Sequence, residues 1–208
     1  MCGIVGLYLK NDKYQSRLGE LFSPMMIAMT ERGPDSAGFA IYGDAVDSGI
    51  KFTLRHEDEN YDWEKLAKDI EEALVTKVDW FKNSKVAIFK VKTDADFVEN
   101  YLHENHPDVL IMSAGTSIEI LKEVGLPERI VNMFNLDKMQ GTHIIGHTRM
   151  ATESAVTMAG SHPFSTGMDL CLVHNGSLSN HNRMRQELKR NGIHFDTDND
   201  TEVAAGFL

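Results

Sequence analysis

The 208-residue sequence predicts a chain of the α+β class, with an α/β insertion at about residues 44–140. Three observations point there. The runs 2–9 (CGIVGLYL) and 37–43 (AGFAIYG) are short, apolar and glycine-bearing, which suits buried strands in close contact. Residues 63–78 set Trp63, Leu66, Ile70, Leu74 and Val78 at helical spacing, which gives one apolar face. Through 44–140, strand and helix patterns alternate, as in small α/β units.

The elements follow in order. After strand 2–9, a helix is predicted over 17–31, where Leu18, Leu21, Met25, Met26 and Met29 recur at helical spacing. Pro24 marks its true start or a kink. Arg32-Gly33-Pro34-Asp35-Ser36 is turn chemistry and leads into strand 37–43. The middle stretch reads as strand 50–55, helix 62–78, strand 85–92, helix 94–105, strand 108–113, helix 116–124 and a helical segment at 127–136. Met112-Ser113-Ala114-Gly115-Thr116-Ser117 reads as a capped helix start, with a strand-to-helix anion site as the alternative. Strand 143–147, loop 148–161, strand 169–174 and helix 179–191 come next. Asp198-Asn199-Asp200-Thr201 then caps a helix at 202–208.

Bulk properties exclude several function classes. The formal net charge is −10, which argues against a nucleic-acid surface. No apolar run approaches the ~18–20 residues of a membrane span, and no basic-then-apolar leader opens the chain. Cys2 and Cys171 are the only cysteines, too few for a disulfide framework. A working thiol needs a reducing compartment, so the expected location is the cytoplasm.

Cys2 carries the chemistry. Removal of Met1 would make it the chain's first residue, with nucleophile and base together. A free thiol has pKa about 8.5 and an α-amine about 7.7–8.0. The amine can therefore take the thiol proton near neutral pH, directly or through a water. Other candidates have plainer readings. His143 and His147 lie on one face of a strand with no third ligand beside them, so no metal site is expected. Cys171 sits in an apolar strand as an inert core residue. His103 and His106 read as solvated surface at a helix end.

Four further segments line up with Met1-Cys2-Gly3-Ile4-Val5-Gly6. They are Arg32-Gly33-Pro34-Asp35-Ser36-Ala37-Gly38, Gly146-His147-Thr148-Arg149-Met150-Ala151-Thr152, Val173-His174-Asn175-Gly176 and Asn199-Asp200-Thr201-Glu202-Val203. Together they resemble the class II glutamine amidotransferases, the N-terminal-nucleophile glutaminases. The C-terminal third (HTRMATESAV, HPFSTG, CLVHNGSLSNHN, DTDNDTEVAA) is most similar to the stand-alone glutaminase subunits of split glutamate synthases and N-methylglutamate synthase.

The resemblance implies a role for each matched residue. Cys2 is the nucleophile and its α-amine the general base. Arg149 pairs with the α-carboxylate of glutamine, a task suited to a planar two-pronged donor. Asp200 receives the α-ammonium. The Asn175 amide and the Gly176 N–H form an oxyanion hole. Thr152 and His162 line the glutamine pocket, and Arg32 and Asp35 steady the N-terminus from behind. Plainer roles stand beside these: a structural ion pair for Arg149, a helix cap for Asp200, a simple turn for Asn175-Gly176 and a loop hydrogen bond for His162. Family members usually carry Trp after the arginine; this chain has Met150.

The resemblance also implies a four-layer αββα sandwich over residues 1–208, with the insertion packed outside. Family members continue past the Asp200 motif, so the C-terminal part of the domain is expected to be absent or supplied by a partner. No cofactor is expected in this chain. A separate synthase subunit of the flavin and iron–sulfur type would receive the ammonia. Residues 149–161 are small and polar and are expected to close over bound glutamine. The alternative functions are a non-catalytic glutamine-binding subunit and an amidase acting on another acyl amide.

Overall fold

The computed structural model describes residues 2–150 and 156–208. In chain order the elements are β1 (Gly3–Tyr8), α1 (Leu18–Ala28), β2 (Ser36–Tyr42), β3 (Ile50–Arg55), α2 (Trp63–Leu74), β4 (Val78–Asn83), β5 (Val86–Val91) and α3 (Ala95–Asn105). Then come β6 (Leu110–Gly115), β7 (Ile118–Val124), α4 (Pro127–Met133), β8 (His143–Arg149), β9 (Phe164–Gly167), β10 (Leu170–Leu172), α5 (His181–Arg190) and α6 (Asp200–Phe207). The strands form antiparallel sheets in the orders β1-β8-β2-β7, β4-β5-β3-β6 and β10-β9. Helices and antiparallel sheets make this an α+β arrangement.

The first sheet buries one face under α1 and α4. Leu18, Phe22 and Met26 of α1 meet Phe39 and Ile41 of β2, Ile144 of β8, and Ile130 and Phe134 from α4 and its end. Each such side chain contributes about 1.5–3 kcal/mol on burial. The second sheet is covered by α2 and α3, where Trp63, Leu66, Ile70 and Leu102 pack on Phe52, Leu54 and Phe89. Its partner sequence pattern, the run from Trp63 to Leu74, starts behind an Asp62 side chain that accepts the Lys65 N–H at 2.9 Å.

The two sheets meet at β7. Lys51 of β3 pairs with Glu119 at 2.9 Å, and Arg55 of β3 pairs with Glu123 at 3.0 Å. Ser113 donates to Thr53 at 3.1 Å and accepts the Ile120 N–H at 3.2 Å. Residues 118–133 therefore belong to the first sheet and its helical cover, while the second sheet draws on residues 50–115.

Several elements differ from expectation. The helix predicted at 116–124 is the strand β7. Its charged residues Glu119, Lys122 and Glu123 mimic a solvated helix face, but each has a buried partner, so the two-residue period wins. Helix α2 stops at Leu74, because Val75 turns left-handed (φ 49°) and releases the chain into β4, a strand not foreseen. Strand β9 was also not foreseen. Helix α1 starts at Leu18 and runs through Pro24. The segment 112–117 is the end of β6 and its turn into β7, not a helix start. That turn does hold an anion, the chain's own Asp169. The Asp169 carboxylate accepts from the N–H groups of Thr116, Ser117 and Ile118 and from the Thr116 and Ser117 hydroxyls, at 2.7–3.0 Å. These bonds hold its pKa well below the ordinary carboxylate range, against the opposing effect of burial. Among the described residues, no helix is long and apolar enough to cross a membrane.

Candidate active site

The face of the first sheet opposite α1 carries the site. Register sets it out in rows. Ile4 of β1, His147 of β8, Gly38 of β2 and Lys122 of β7 lie side by side. One row on, Gly3 pairs with Thr148, and in the next row Arg149 pairs with Ser36, so Cys2 emerges beside Arg149 at the sheet's edge. Strand β8 runs to Arg149, two residues beyond the predicted 143–147, which puts the guanidinium at a strand end rather than in a loop.

Cys2 is half-buried, and its Sγ lies 3.9 Å from the Met150 carbonyl. Asn175 Nδ2 donates to the Cys2 carbonyl at 3.0 Å, which joins the Asn-Gly turn to the N-terminal residue. Gly176 follows in that turn, and a Cβ there would come within 2.8 Å of His174 Nε2. Arg149 Nη1 faces the Gly160 carbonyl at 3.5 Å, and Asn199 Nδ2 donates to the same oxygen at 3.0 Å. Asp200 begins α6, but the capping side chain is its neighbour Asn199, which accepts the Thr201 N–H at 2.9 Å. Asp200 Oδ2 instead accepts the Leu178 N–H at 2.6 Å, so it braces the turn carrying Asn175 and Gly176.

The supporting residues lie close by. Arg32 ends a 3-10 turn, and a Cβ on Gly3 would come within 3.1 Å of its Cβ. The Asp35 N–H donates to the Arg149 carbonyl at 3.0 Å, and the Asp35 carbonyl accepts from Gly125 at 2.8 Å. Thr152 lies outside the described residues, as does part of the predicted closing loop.

A histidine cluster floors the site. The rings of His147 and His162 are 4.2 Å apart, and His162 stands edge-on to Phe164. His147 Nε2 lies 3.2 Å from the His174 carbonyl, and His174 Nδ1 lies 3.2 Å from Thr201 Oγ1. His162 is buried, and neither ring nitrogen has a hydrogen-bond partner among the described residues, so the loop hydrogen bond considered for it is not made. Burial pushes His147 down to about 4 and His162 to about 2. Both rings are therefore neutral at neutral pH. His147, His174, Asn199 and Lys122 were missed as site residues. His174 and Asn199 stood inside quoted segments next to Asn175 and Asp200. His147 was weighed only as a metal ligand, and Lys122 was hidden by the mistaken helix.

Cys2, the strand-end Arg149, the Asn175-Gly176 turn and the start of α6 thus come together at one edge of the first sheet. The chain belongs to the class II glutamine amidotransferase family. The family of glutamine amidotransferase domains matches residues 135–207, which include Arg149, Asn175, Gly176 and Asp200. The chain is 53% identical to the glutamine amidotransferase-like protein GlxB of Rhizobium meliloti (strain 1021) over its full length, covering 69% of that protein. It is 33% identical to a putative glutamine amidotransferase of Methanothermobacter thermautotrophicus (strain Delta H), again over its full length and 72% of that protein. A 100-residue stretch is 34% identical to the isomerizing glutamine–fructose-6-phosphate aminotransferase of Idiomarina loihiensis, covering 48% of this chain and 16% of that enzyme.

Proposed function

We propose that the chain is a glutaminase, which hydrolyses the side-chain amide of glutamine through Cys2. The observation that carries this is the 3.0 Å hydrogen bond from Asn175 to the Cys2 carbonyl. It ties the oxyanion donors to the nucleophile across 173 residues of chain. Asn175 Nδ2 has a second hydrogen, which remains available to an oxyanion.

Catalysis begins once Met1 is removed and the Cys2 amine is free. The amine takes the thiol proton, and the thiolate adds to the amide carbon of glutamine. The carbonyl oxygen becomes an oxyanion held by Asn175 Nδ2 and the Gly176 N–H. The amine passes its proton to the amide nitrogen, the C–N bond breaks, and ammonia leaves a γ-glutamyl thioester on Cys2. Water adds to that thioester, and the C–S bond breaks to give glutamate and the free thiol. Arg149 binds the α-carboxylate, and Asp200 keeps spare lone pairs for the α-ammonium while bracing the turn through Leu178. His162 borders the substrate, Arg32 and Asp35 support Gly3 and Arg149, and Thr152 is a further pocket residue only by the resemblance. No step calls on a cofactor in this chain. The ammonia passes to a separate synthase subunit of the flavin and iron–sulfur type, in a reducing cytoplasm where Cys2 stays a thiol. The surrounding architecture is the αββα sandwich of N-terminal-nucleophile hydrolases.

The test is ammonia release from glutamine by chain whose N-terminus has been verified by intact mass. Cys2→Ala abolishes release, and a glutamine-shaped thiol alkylator adds its mass at Cys2. Release that survives Cys2→Ala defeats the mechanism. Tight glutamine binding with no release by processed wild type favours a binding subunit instead.

A further inference from the structure

Lys122 is a buried cation that this reaction leaves unused. It stands on β7 directly opposite Gly38. No carboxylate among the described residues pairs with it. Its Nζ donates instead to three main-chain carbonyls: Ala159 at 3.1 Å, Ser161 at 2.6 Å and Pro163 at 3.2 Å. Three acceptors occupy all three hydrogens of an ammonium. The Phe164 ring faces the same nitrogen at 4.4 Å. Burial lowers its pKa to about 7, while Glu202 and Asp196, farther off, act in the opposite direction.

All three carbonyls belong to residues 159–163, a segment with no helix or strand of its own. Within it, the Gly160 carbonyl receives Arg149 and Asn199, and the His162 ring lies on His147. Gly38 makes room for this. A Cβ there would sit 2.2 Å from the His162 carbonyl and 2.4 Å from the Lys122 Cβ. The opposite face of β7 is clamped by Glu119 and Glu123 to Lys51 and Arg55. The strand is thus held fixed, and the loop conforms to the lysine.

We propose that Lys122 is a positioning residue for glutamine binding, its ammonium gathering the Ala159, Ser161 and Pro163 carbonyls to set the Gly160 oxygen that orients Arg149. This rests on the glutaminase reading above. The ammonium's hydrogens all go to main-chain carbonyls and none to Cys2, so its loss acts on the seat of the α-carboxylate.

The test compares processed full-length wild type with K122M, K122R and K122Q at pH 6, where Lys122 keeps its proton. K122M raises KM for glutamine by about tenfold or more, with kcat within about threefold. K122R recovers most of that loss. Alkylation of Cys2 by iodoacetamide stays within about twofold of wild type, since the nucleophile is untouched. Backbone amide exchange across 157–164 speeds up in K122M and not in K122R. If K122M does not fold, K122Q carries the same comparison, because it keeps a polar head in place. Unchanged KM with unchanged exchange in the folded variant overturns the inference. A processed wild type that turns over no glutamine defeats the glutaminase reading instead, and the exchange comparison then decides the tether alone.

Discussion

Asn175 has two tasks for one side chain. Its amide already holds the Cys2 carbonyl, and its remaining hydrogen is the proposed oxyanion donor. Asn175→Ala is expected to lower kcat by about 10²–10³-fold, the cost of one preorganised donor, with a smaller change in KM. Steady-state kinetics on processed protein check this; a KM effect that exceeds the kcat effect would assign Asn175 to ground-state binding. Cys2, Arg149, Asn175 and Asp200 could be singled out from sequence because the segments that carry them resemble those of a known family. The bracing of Leu178 by Asp200 could not, since it depends on where α6 docks. Lys122 was hidden for a different reason. Nothing in a linear sequence distinguishes a solvated lysine from one enclosed by three carbonyls.

Strand β7 shows how a fold reading can be right in class and wrong in an element. Ile118, Ile120 and Lys122 face one way and Glu119, Leu121 and Glu123 the other, with both faces covered. Strand 37–43 was readable because its apolar residues dominate, and strand 50–55 because Ile50, Phe52 and Leu54 alternate strictly with Lys51, Thr53 and Arg55. Strand β7 was not, because buried charge breaks the usual link between polarity and solvent. That charge is structurally costly to disturb. The Arg55 side chain is 6% exposed, and Glu123 is its carboxylate partner. Glu123→Ala strands the guanidinium and is expected to cost about 3–5 kcal/mol, read as a lower urea midpoint at constant slope. Replacing Arg55 and Glu123 together with Met and Leu is expected to cost less than Glu123→Ala alone, since no buried charge is left without a partner. A larger loss in the double variant would contradict this account of the joint.

At the scale of the whole molecule, buried bases set the response to pH. His147 and His162 are lowered to about 4 and about 2, and His143 is lowered as well, by burial in each case. Between about pH 4 and 6.5 the unfolded chain takes up protons on these rings that the folded chain refuses, so stability falls as the pH drops through that window. Lys122, lowered to about 7, works in the same direction at higher pH. From about pH 7 to 10.5 the unfolded chain holds a proton that the folded chain has released, and stability rises with pH. The urea midpoint is therefore expected to be higher at pH 9 than at pH 5; a flat profile or a maximum at pH 5 would contradict this. Asp169 enters only in strong acid, because a depressed carboxylate loses its contribution as the pH falls below its ordinary value. Its grip reaches from the β9–β10 hairpin to the turn after β6, about fifty residues earlier in the chain. That cup of N–H groups is thus plugged from within whenever the hairpin is docked. A sulfate or phosphate found resting on Thr116 and Ser117 would be the fingerprint of a hairpin that had come away.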